Sequence, residues 1–178
     1  MLEIELKVSV PDLGPVRSCL TTLGAESRGN LHEHDIYYNA PHRDFGTTDE
    51  AMRVRYTNDH AVITYKGAKI KKFGLKAREE LNTAVESGPE FEKMLDRLGF
   101  RKTAEVNKWR ETFRYGTASI SLDTVDELGT FVEIEVMTET GEDATDQIAA
   151  IAKKIGVSGD PILASYLELL LEKRALGI

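Results

Sequence analysis

Charged side chains recur in pairs at alternate positions along several short segments of the sequence. Near the start, Glu3, Glu5 and Lys7 follow one another at this spacing, and Arg53 with Arg55 repeats it. Side chains two residues apart on a β-strand lie on one face about 7 Å apart, so each pair directs two charges at one target. Further pairs are Thr64 with Lys66, Lys76 with Arg78, Lys108 with Arg110, and Glu133 with Glu135.

These pairs have the chemistry of a site for a phosphate chain and a divalent cation. Like charges on one strand repel unless a ligand of opposite sign lies between them. Arginine binds phosphate as a planar fork and lysine as a point charge, while Mg²⁺ and Mn²⁺ take carboxylate, phosphate and water oxygens. A sheet curved around a cavity would therefore form a metal-dependent site for a nucleotide or polyphosphate. The alternative is an antiparallel sheet with one solvated face. That alternative explains a single strand with charged alternate positions, but it is a poorer explanation for five such strands.

Other phosphate and metal sites lack support in the sequence. It contains no G-x-x-x-x-G-K-[ST], G-x-G-x-x-G or H-E-x-x-H motif,. His32 and His34 share a strand face opposite Glu33 and Asp35, and we interpret them as a surface pair rather than metal ligands. Cys19 lies on the apolar face of a predicted helix and is interpreted as inert core.

The elements that position these residues are strands and four helices. Period-two alternation predicts strands over 2–8, 32–38, 51–56, 61–66, 75–85, 106–114, 118–122 and 130–137. Apolar spacing of three and four predicts helices over 16–23, 91–98, 148–155 and 162–174. Gly24 and Gly99 suit the left-handed position after a helix, and Asp160-Pro161 suits the start of the last one.

A faint repeat relates the two halves of the chain at a constant offset of 75 residues. It places Glu5 on Glu80 and Gly24 on Gly99. Chance identities of apolar residues could produce the same pattern. A true repeat predicts a sheet built of two equivalent halves.

The composition indicates one soluble globular domain. The chain has 178 residues, of which 41% are hydrophobic and 30% are charged,. The net charge of -7 argues against binding to nucleic acid or to an anionic membrane,. There is no apolar run of bilayer length. Because a single cysteine cannot form an internal disulfide, the expected compartment is the cytoplasm.

The ordered charged motifs resemble the CYTH superfamily, the triphosphate tunnel metalloenzymes. The resemblance runs in order through Glu3-x-Glu5-x-Lys7, Arg53-x-Arg55, Thr64-x-Lys66, Lys76-x-Arg78-Glu79-Glu80, Lys108-x-Arg110, Asp123 and Glu133-x-Glu135. The segments 35–55, 64–67 and 165–170 resemble the class IV adenylyl cyclase branch (CyaB-type), especially its archaeal members. Two positions differ from the usual pattern, Glu33 where relatives often have Gln and Asn82 where they often have an acid.

The resemblance implies an α+β fold in which residues 1–178 form a single CYTH domain. An eight-stranded antiparallel barrel-like tunnel would have helices packed outside it. Two Mg²⁺ or Mn²⁺ ions would be bound by Glu3, Glu5, Asp123, Glu133 and Glu135. The triphosphate would be bound by Lys7, Arg53, Arg55, Lys66, Lys76, Arg78, Lys108 and Arg110. Lys7, Arg55 and Lys76 would act in catalysis.

Three functions remain open from the sequence. The branch resemblance favours an adenylyl cyclase that converts ATP into cyclic AMP and pyrophosphate. The same charged site would serve a triphosphatase acting on inorganic triphosphate, thiamine triphosphate or a nucleotide. A non-catalytic binding module would need the cations but not the acidic set. Related cyclases form dimers, so a homodimer is compatible with the resemblance.

Overall fold

The computed structural model describes residues 2–58, 60–72, 75–139 and 144–177. Its strands are β1 (Leu2–Ser9), β2 (Glu26–Asn39), β3 (Ala51–Thr57), β4 (His60–Lys66), β5 (Ile70–Lys72), β6 (Leu75–Val85), β7 (Arg101–Tyr115), β8 (Ala118–Val125) and β9 (Gly129–Thr138). Its helices are α1 (Gly14–Thr22), α2 (Phe45–Thr48), α3 (Gly88–Arg97), α4 (Ala144–Lys154) and α5 (Tyr166–Leu176). None of the helices in the described ranges is long and apolar enough to cross a membrane.

Eight of the strands close into an antiparallel barrel. The order around it is β1, β9, β8, β7, β2, β3, β4 and β6, and β6 pairs back onto β1. The short strand β5 pairs with β6 alongside. This confirms the predicted α+β fold with an eight-stranded antiparallel barrel. Because the barrel is closed, each strand turns alternate residues toward the interior, and these are the charged residues of the alternating pattern.

The barrel consists of two equivalent halves. Each half reads strand, helix, then three strands, with α2 and β5 as additions to the first half. Glu3 pairs with Arg78 in the β1–β6 ladder, and Glu33 pairs with Lys108 in the β2–β7 ladder. Both pairs join residues 75 positions apart, which is the offset of the sequence repeat. The repeat hypothesis therefore agrees with the observed register.

Apolar side chains on the outer face of the barrel pack against the helices. Ile4 and Ile134 lie in one cluster with Leu20 of α1 and Ile148 of α4. A second cluster joins the outer faces of β2, β3 and β4 to α3. Cys19 is half-buried and packs against the first cluster, as its position on the α1 face predicts. These contacts fix the strands from outside and leave the interior for charged groups.

The last helix begins later than the sequence predicts. The expected start near Asp160-Pro161 is wrong, because α5 begins at Tyr166 with Ser165 as its cap. Ser165 and Glu168 form a capping box in which each side chain bonds the other residue's backbone N–H,. Residues 160–165 precede the helix and run across β1, where the Ile162 N–H donates to the Lys7 carbonyl at 2.8 Å. Helix α2 and strand β5 were not predicted.

Candidate active site

The interior of the barrel is a charged cavity. Its volume is about 120 Å³, and eight Lys or Arg and six Asp or Glu side chains line it. All eight predicted phosphate-binding cations are among them: Lys7, Arg53, Arg55, Lys66, Lys76, Arg78, Lys108 and Arg110. The period-two spacing explains why these eight cations lie together, because every one of their side chains lies on the inward face of its strand.

Three of the five predicted metal ligands form a compact cluster of carboxylates. One carboxylate oxygen from each of Glu3, Glu5 and Glu135 lies within 4.8 Å of the other two. Strands β1 and β9 position them, with Glu5 directly opposite Glu135 in the ladder. Burial raises the pKa of Glu3, and burial together with Glu3 and Glu133 raises the pKa of Glu135 to about 8. Ionising these groups together is costly unless a cation lies between them.

The donor set of this cluster fits Mg²⁺ or Mn²⁺. Both ions prefer hard oxygen ligands and keep positions for phosphate and water. Glu5 remains ionised within the cluster. Burial opposes its charge, but Lys76 and Lys7 beside it hold its pKa below the ordinary value. Glu3, Glu5 and Glu135 are therefore the residues that could bind a divalent cation.

The other two predicted metal ligands, Glu133 and Asp123, contact cations instead. Asp123 accepts a hydrogen bond from Arg110 Nε at 2.7 Å and another from the Tyr166 hydroxyl at 2.8 Å. Glu133 forms ion pairs with Arg110 and with Lys7, whose Nζ lies 3.2 Å from its Oε1. These contacts lower the pKa of Glu133 well below the ordinary value despite its burial. A metal-binding role for Asp123 and Glu133 stays a prediction.

The predicted catalytic lysines lie beside the carboxylate cluster. Lys7 Nζ is 3.2 Å from Glu5, and Lys76 Nζ is 3.0 Å from the same carboxylate. Burial lowers the pKa of Lys76. In contrast, Glu133 and Glu5 raise the pKa of Lys7 even though burial acts against its charge. Both ammonium groups thus lie at the boundary between the acidic cluster and the remaining cations.

A second acidic centre, Asp35 with Glu33, orders the cations on the opposite side. Asp35 accepts a two-pronged hydrogen bond from Arg55 at 2.6 and 2.7 Å and another from Lys108 Nζ at 3.1 Å. Arg53 and Lys108 contribute most to holding the pKa of Asp35 well below its ordinary value, although burial raises it. The sequence analysis did not assign these acids to the site. Glu33, Asp35 and Tyr37 alternate along one face of β2, and this alternation is the sequence signal that could have identified the two acids as site residues.

Two buried arginines each have one hydrogen-bond donor without a partner. Among the described residues, the Nε atoms of Arg53 and Arg78 have no hydrogen-bond partner. Arg78 is 3% exposed and donates through another nitrogen to the Asp49 carbonyl at 2.9 Å. An unpartnered buried donor carries a free-energy cost, which an anion in the cavity would remove. Lys66 pairs with Glu80, which also lines the cavity.

The residues that start α5 also contribute to the cavity, and the sequence analysis missed them as site residues. Ser165 and Tyr166 line it together with the inward-facing strands. The Tyr166 ring lies 4.3 Å from Lys7 Nζ. By contrast, His32 lies on the outer surface beside Trp109, and His34 contacts Glu105 outside the barrel. The interpretation of the two histidines as a surface pair agrees with these positions.

Comparison with known proteins gives one consistent family. The profile of the CYTH domain family matches residues 1–166. Over 173 residues the chain is 35% identical to MJ0240 of Methanocaldococcus jannaschii, which is named as a candidate adenylate cyclase; the match covers 95% of this chain and 98% of that protein.

Solved structures share the architecture. The PH1819 protein of Pyrococcus horikoshii is 36% identical, with a TM-score of 0.86 over 97% of this chain and 99% of that one. The structure of HpAC1 from Hippeastrum, described as a candidate adenylyl cyclase with a dominant triphosphatase activity, has a TM-score of 0.71. It covers 96% of this chain and 95% of its own at 18% identity, so this likeness concerns the fold alone.

Proposed function

The chain belongs to the CYTH domain family, and on that premise we propose that it is a Mg²⁺- or Mn²⁺-dependent enzyme that transfers phosphoryl groups of a bound triphosphate. The proposed reaction is that of a class IV adenylyl cyclase, which converts ATP into cyclic AMP and pyrophosphate in the cytoplasm. One observation carries the proposal. The carboxylate cluster of Glu3, Glu5 and Glu135 faces the same cavity as eight Lys and Arg side chains.

The charge balance of the cavity favours a triphosphate. Eight cationic and six acidic side chains line it, and the buried Glu33 and Asp123 pair with three of these cations, so the charges balance when all groups are ionised. At neutral pH the raised pKa of Glu135 keeps its carboxyl protonated and leaves an excess of positive charge. A divalent cation at the carboxylate cluster would add to this excess. A chain of phosphates would neutralise it, whereas a cationic ligand would increase it.

The arginines and lysines would bind and stabilise the phosphates. Arg53 and Arg78 offer unpartnered Nε donors, whereas Arg55, whose planar fork already donates to Asp35, would contribute its positive charge. Charge that spreads over the phosphoryl oxygens during transfer would be stabilised by these fixed cations. Lys7 and Lys76 lie beside the carboxylate cluster and would contact the phosphate that reacts.

The carboxylate cluster supplies the metal chemistry. A divalent cation held by Glu3, Glu5 and Glu135 would act as a Lewis acid toward the phosphoryl oxygens and increase the acidity of the attacking hydroxyl. The second predicted ion would take more of its ligands from phosphate and water. A non-catalytic binding module is disfavoured, because it would need the cations without this cluster.

The alternative reaction is hydrolysis of inorganic triphosphate, thiamine triphosphate or a nucleotide. It needs the same cavity and differs only in that water attacks instead of the ribose 3′-hydroxyl. The cyclase is preferred because the chain resembles that branch in several segments and because MJ0240 carries a cyclase name.

Product analysis tests the proposal. The protein is incubated with Mn²⁺ or Mg²⁺ and ATP, or with the metal and inorganic triphosphate, and the products are identified by chromatography. Cyclic AMP with pyrophosphate is the expected result from ATP. ADP or orthophosphate would select the triphosphatase instead, and no product with either substrate would overturn both reactions. Glu135→Gln, which removes one carboxylate of the cluster, should abolish turnover. Glu139→Gln, which alters an exposed carboxylate four residues beyond Glu135, is its matched control and should leave turnover unchanged.

A further inference from the structure

The cations that line the cavity differ in how far buried acids neutralise them. Arg53 and Arg78 each keep an Nε atom that has no hydrogen-bond partner among the described residues. Arg55, in contrast, has an acidic oxygen beside every nitrogen of its guanidinium group: Asp35 accepts from Nε and Nη2, and Glu33 lies 2.9 Å from Nη1. Arg55 therefore faces the cavity with much of its charge already neutralised.

Glu33 acts on Lys108 as well. Its Oε2 lies 2.7 Å from Lys108 Nζ, and the Lys108 side chain is 1% exposed. Within the described part of the chain this oxygen has no hydrogen-bond partner, so Glu33 acts on its two cations through its charge. Burial raises the pKa of Glu33, but Lys108, Arg110 and Arg55 outweigh burial and hold that pKa below the ordinary value. The carboxylate is therefore ionised at neutral pH.

Glu33 is set apart from the cavity surface and from the carboxylate cluster. Strand β2, which carries it, is four strands away from β1 in either direction around the barrel. Of the described residues, Arg55 and Lys108 line the cavity, whereas Glu33 is 8% exposed and does not line it. Glu33 is thus a fixed counter-charge that contacts neither the metal site on β1 and β9 nor the space in which phosphates would bind.

A fixed negative charge beside two cavity cations weakens the binding of any anion to them. The effect is larger than in water because the dielectric constant of a buried site is lower. A neutral side chain at position 33 would raise the positive charge beside the cavity by one. Arg55 and Lys108 would still share Asp35 as a counter-charge, at 2.6 and 3.1 Å. Both cations would therefore stay in place and attract phosphate oxygens more strongly.

We propose that Glu33 limits the affinity of the cavity for phosphate chains and thereby allows a phosphate-containing product to leave. The inference rests on the proposed function and adds to it a residue that determines affinity. Interactions that bind substrate and transition state equally well do not accelerate the chemical step, and tight binding of a product slows its release. Glu33 reduces such binding, while Arg53 and Arg78 keep their free donors for phosphate oxygens.

A purely structural role of Glu33 predicts the opposite change in affinity. If Glu33 only held Arg55 and Lys108 in position, its replacement would leave both cations less ordered and would weaken the binding of phosphates. The inference predicts tighter binding. The direction in which affinity changes therefore distinguishes the two roles.

The test measures the binding of pyrophosphate by calorimetry to the wild type and to Glu33→Gln. Pyrophosphate is a product of the proposed cyclase reaction, so its binding can be measured with Mg²⁺ present. Inorganic triphosphate is the second ligand, in a buffer with EDTA, where metal-dependent turnover does not occur. We expect Glu33→Gln to bind both ligands at least threefold more tightly than the wild type.

The matched control is Glu105→Gln. It removes the same charge from the outside of β7, the strand that carries Lys108, at a carboxylate that is 50% exposed. Water and salt screen a charge at that place, so we expect the affinity of Glu105→Gln to differ from that of the wild type by less than a factor of two.

An increase smaller than threefold for Glu33→Gln, a decrease, or an equal increase for Glu105→Gln would overturn the inference and leave the proposed function intact. Failure of the wild type to bind either ligand would overturn the proposed function and this inference with it. Glu33→Asp is the second variant, because it keeps the charge but withdraws it from Arg55 and Lys108 by one methylene group. It should bind pyrophosphate more tightly than the wild type, by a smaller factor than Glu33→Gln. If Glu33→Gln does not fold, an affinity of Glu33→Asp at or below that of the wild type would overturn the inference.

Discussion

Replacing Glu135 by glutamine should stabilise the metal-free protein at high pH. Burial and two neighbouring glutamates raise the pKa of Glu135 from 4.5 to about 8. Above pH 8 the carboxylate is ionised in the folded and the unfolded state, so the folded state carries the full cost. As the pH falls through 8, the folded protein takes up the proton, and the cost declines until it vanishes below about 4.5.

The magnitude follows from the size of this shift. One pKa unit corresponds to about 1.4 kcal/mol, and the half-buried position of Glu135 reduces the effect through solvent screening,. We therefore expect Glu135→Gln to add about 2 kcal/mol at pH 9. For a protein of this size, that corresponds to an increase in Tm of roughly 4–8 °C. At pH 5 the two proteins should have nearly equal Tm values.

The same substitution should weaken the response to metal. Binding of Mn²⁺ to the folded state alone raises the free energy of unfolding by mass action, and loss of one ligand reduces the affinity. The assay is thermal unfolding at pH 5 and pH 9, with EDTA or with increasing Mn²⁺, for wild type, Glu135→Gln and the control Glu139→Gln. A Glu135→Gln protein that is no more stable than wild type at pH 9, or that responds equally to Mn²⁺, would refute the reasoning.

Three further substitutions probe the groups that position the site. Asp35→Asn leaves buried cations without their counter-charge and should lower the free energy of unfolding by about 3–5 kcal/mol in urea titrations. It should also flatten the loss of stability expected for the wild type as the pH falls below the ordinary Asp pKa of 3.8, because there the unfolded chain takes up a proton at Asp35 before the folded protein does,. Ser165→Ala removes the capping box with Glu168 and should cost about 1 kcal/mol by the same measurement, with an unchanged value excluding a contribution from the cap. Leu20→Ala creates a cavity in the outer core and should cost about 2–5 kcal/mol without altering ATP affinity; a changed affinity would contradict the separation of core and site.

The alternation of charge along the chain was sufficient to predict which cations share a strand face, whereas the closed eight-stranded barrel was implied by the resemblance to the CYTH superfamily. A period of two determines which side chains share a face, so the inward position of Arg53, Lys66 and Lys108 followed directly. The constant offset of 75 residues matched the register in which Glu3 opposes Arg78. Strand β5 and helix α2 were missed because they are short and lack a full period of apolar residues.

The spacing of the carboxylates in the sequence could not predict which of them lie together in the cavity. Alternation places Glu133 and Glu135 on one face, but which cation each one meets depends on the neighbouring strands. Glu133 meets Lys7 and Arg110, while Glu135 meets Glu3 and Glu5. Asp35 was overlooked for the same reason, since its role comes from cations on β3 and β7.

The start of α5 shows tertiary contacts outweighing a local signal. Asp160-Pro161 is a common opening for a helix, yet the chain there bonds to the Lys7 backbone and does not form a helix. The stronger signal was Ser165 with Glu168, a capping box at the spacing that marks helix starts,. It places Tyr166 in the first turn of α5, where its side chain lines the cavity.

The most direct measurement of the central claim is anomalous diffraction from crystals grown with Mn²⁺ and inorganic triphosphate. The account predicts a Mn²⁺ peak among the carboxylates of Glu3, Glu5 and Glu135. It also predicts density for the phosphates against the cations of the barrel interior. Phosphate density outside the barrel, or Mn²⁺ bound away from these three carboxylates, would contradict it.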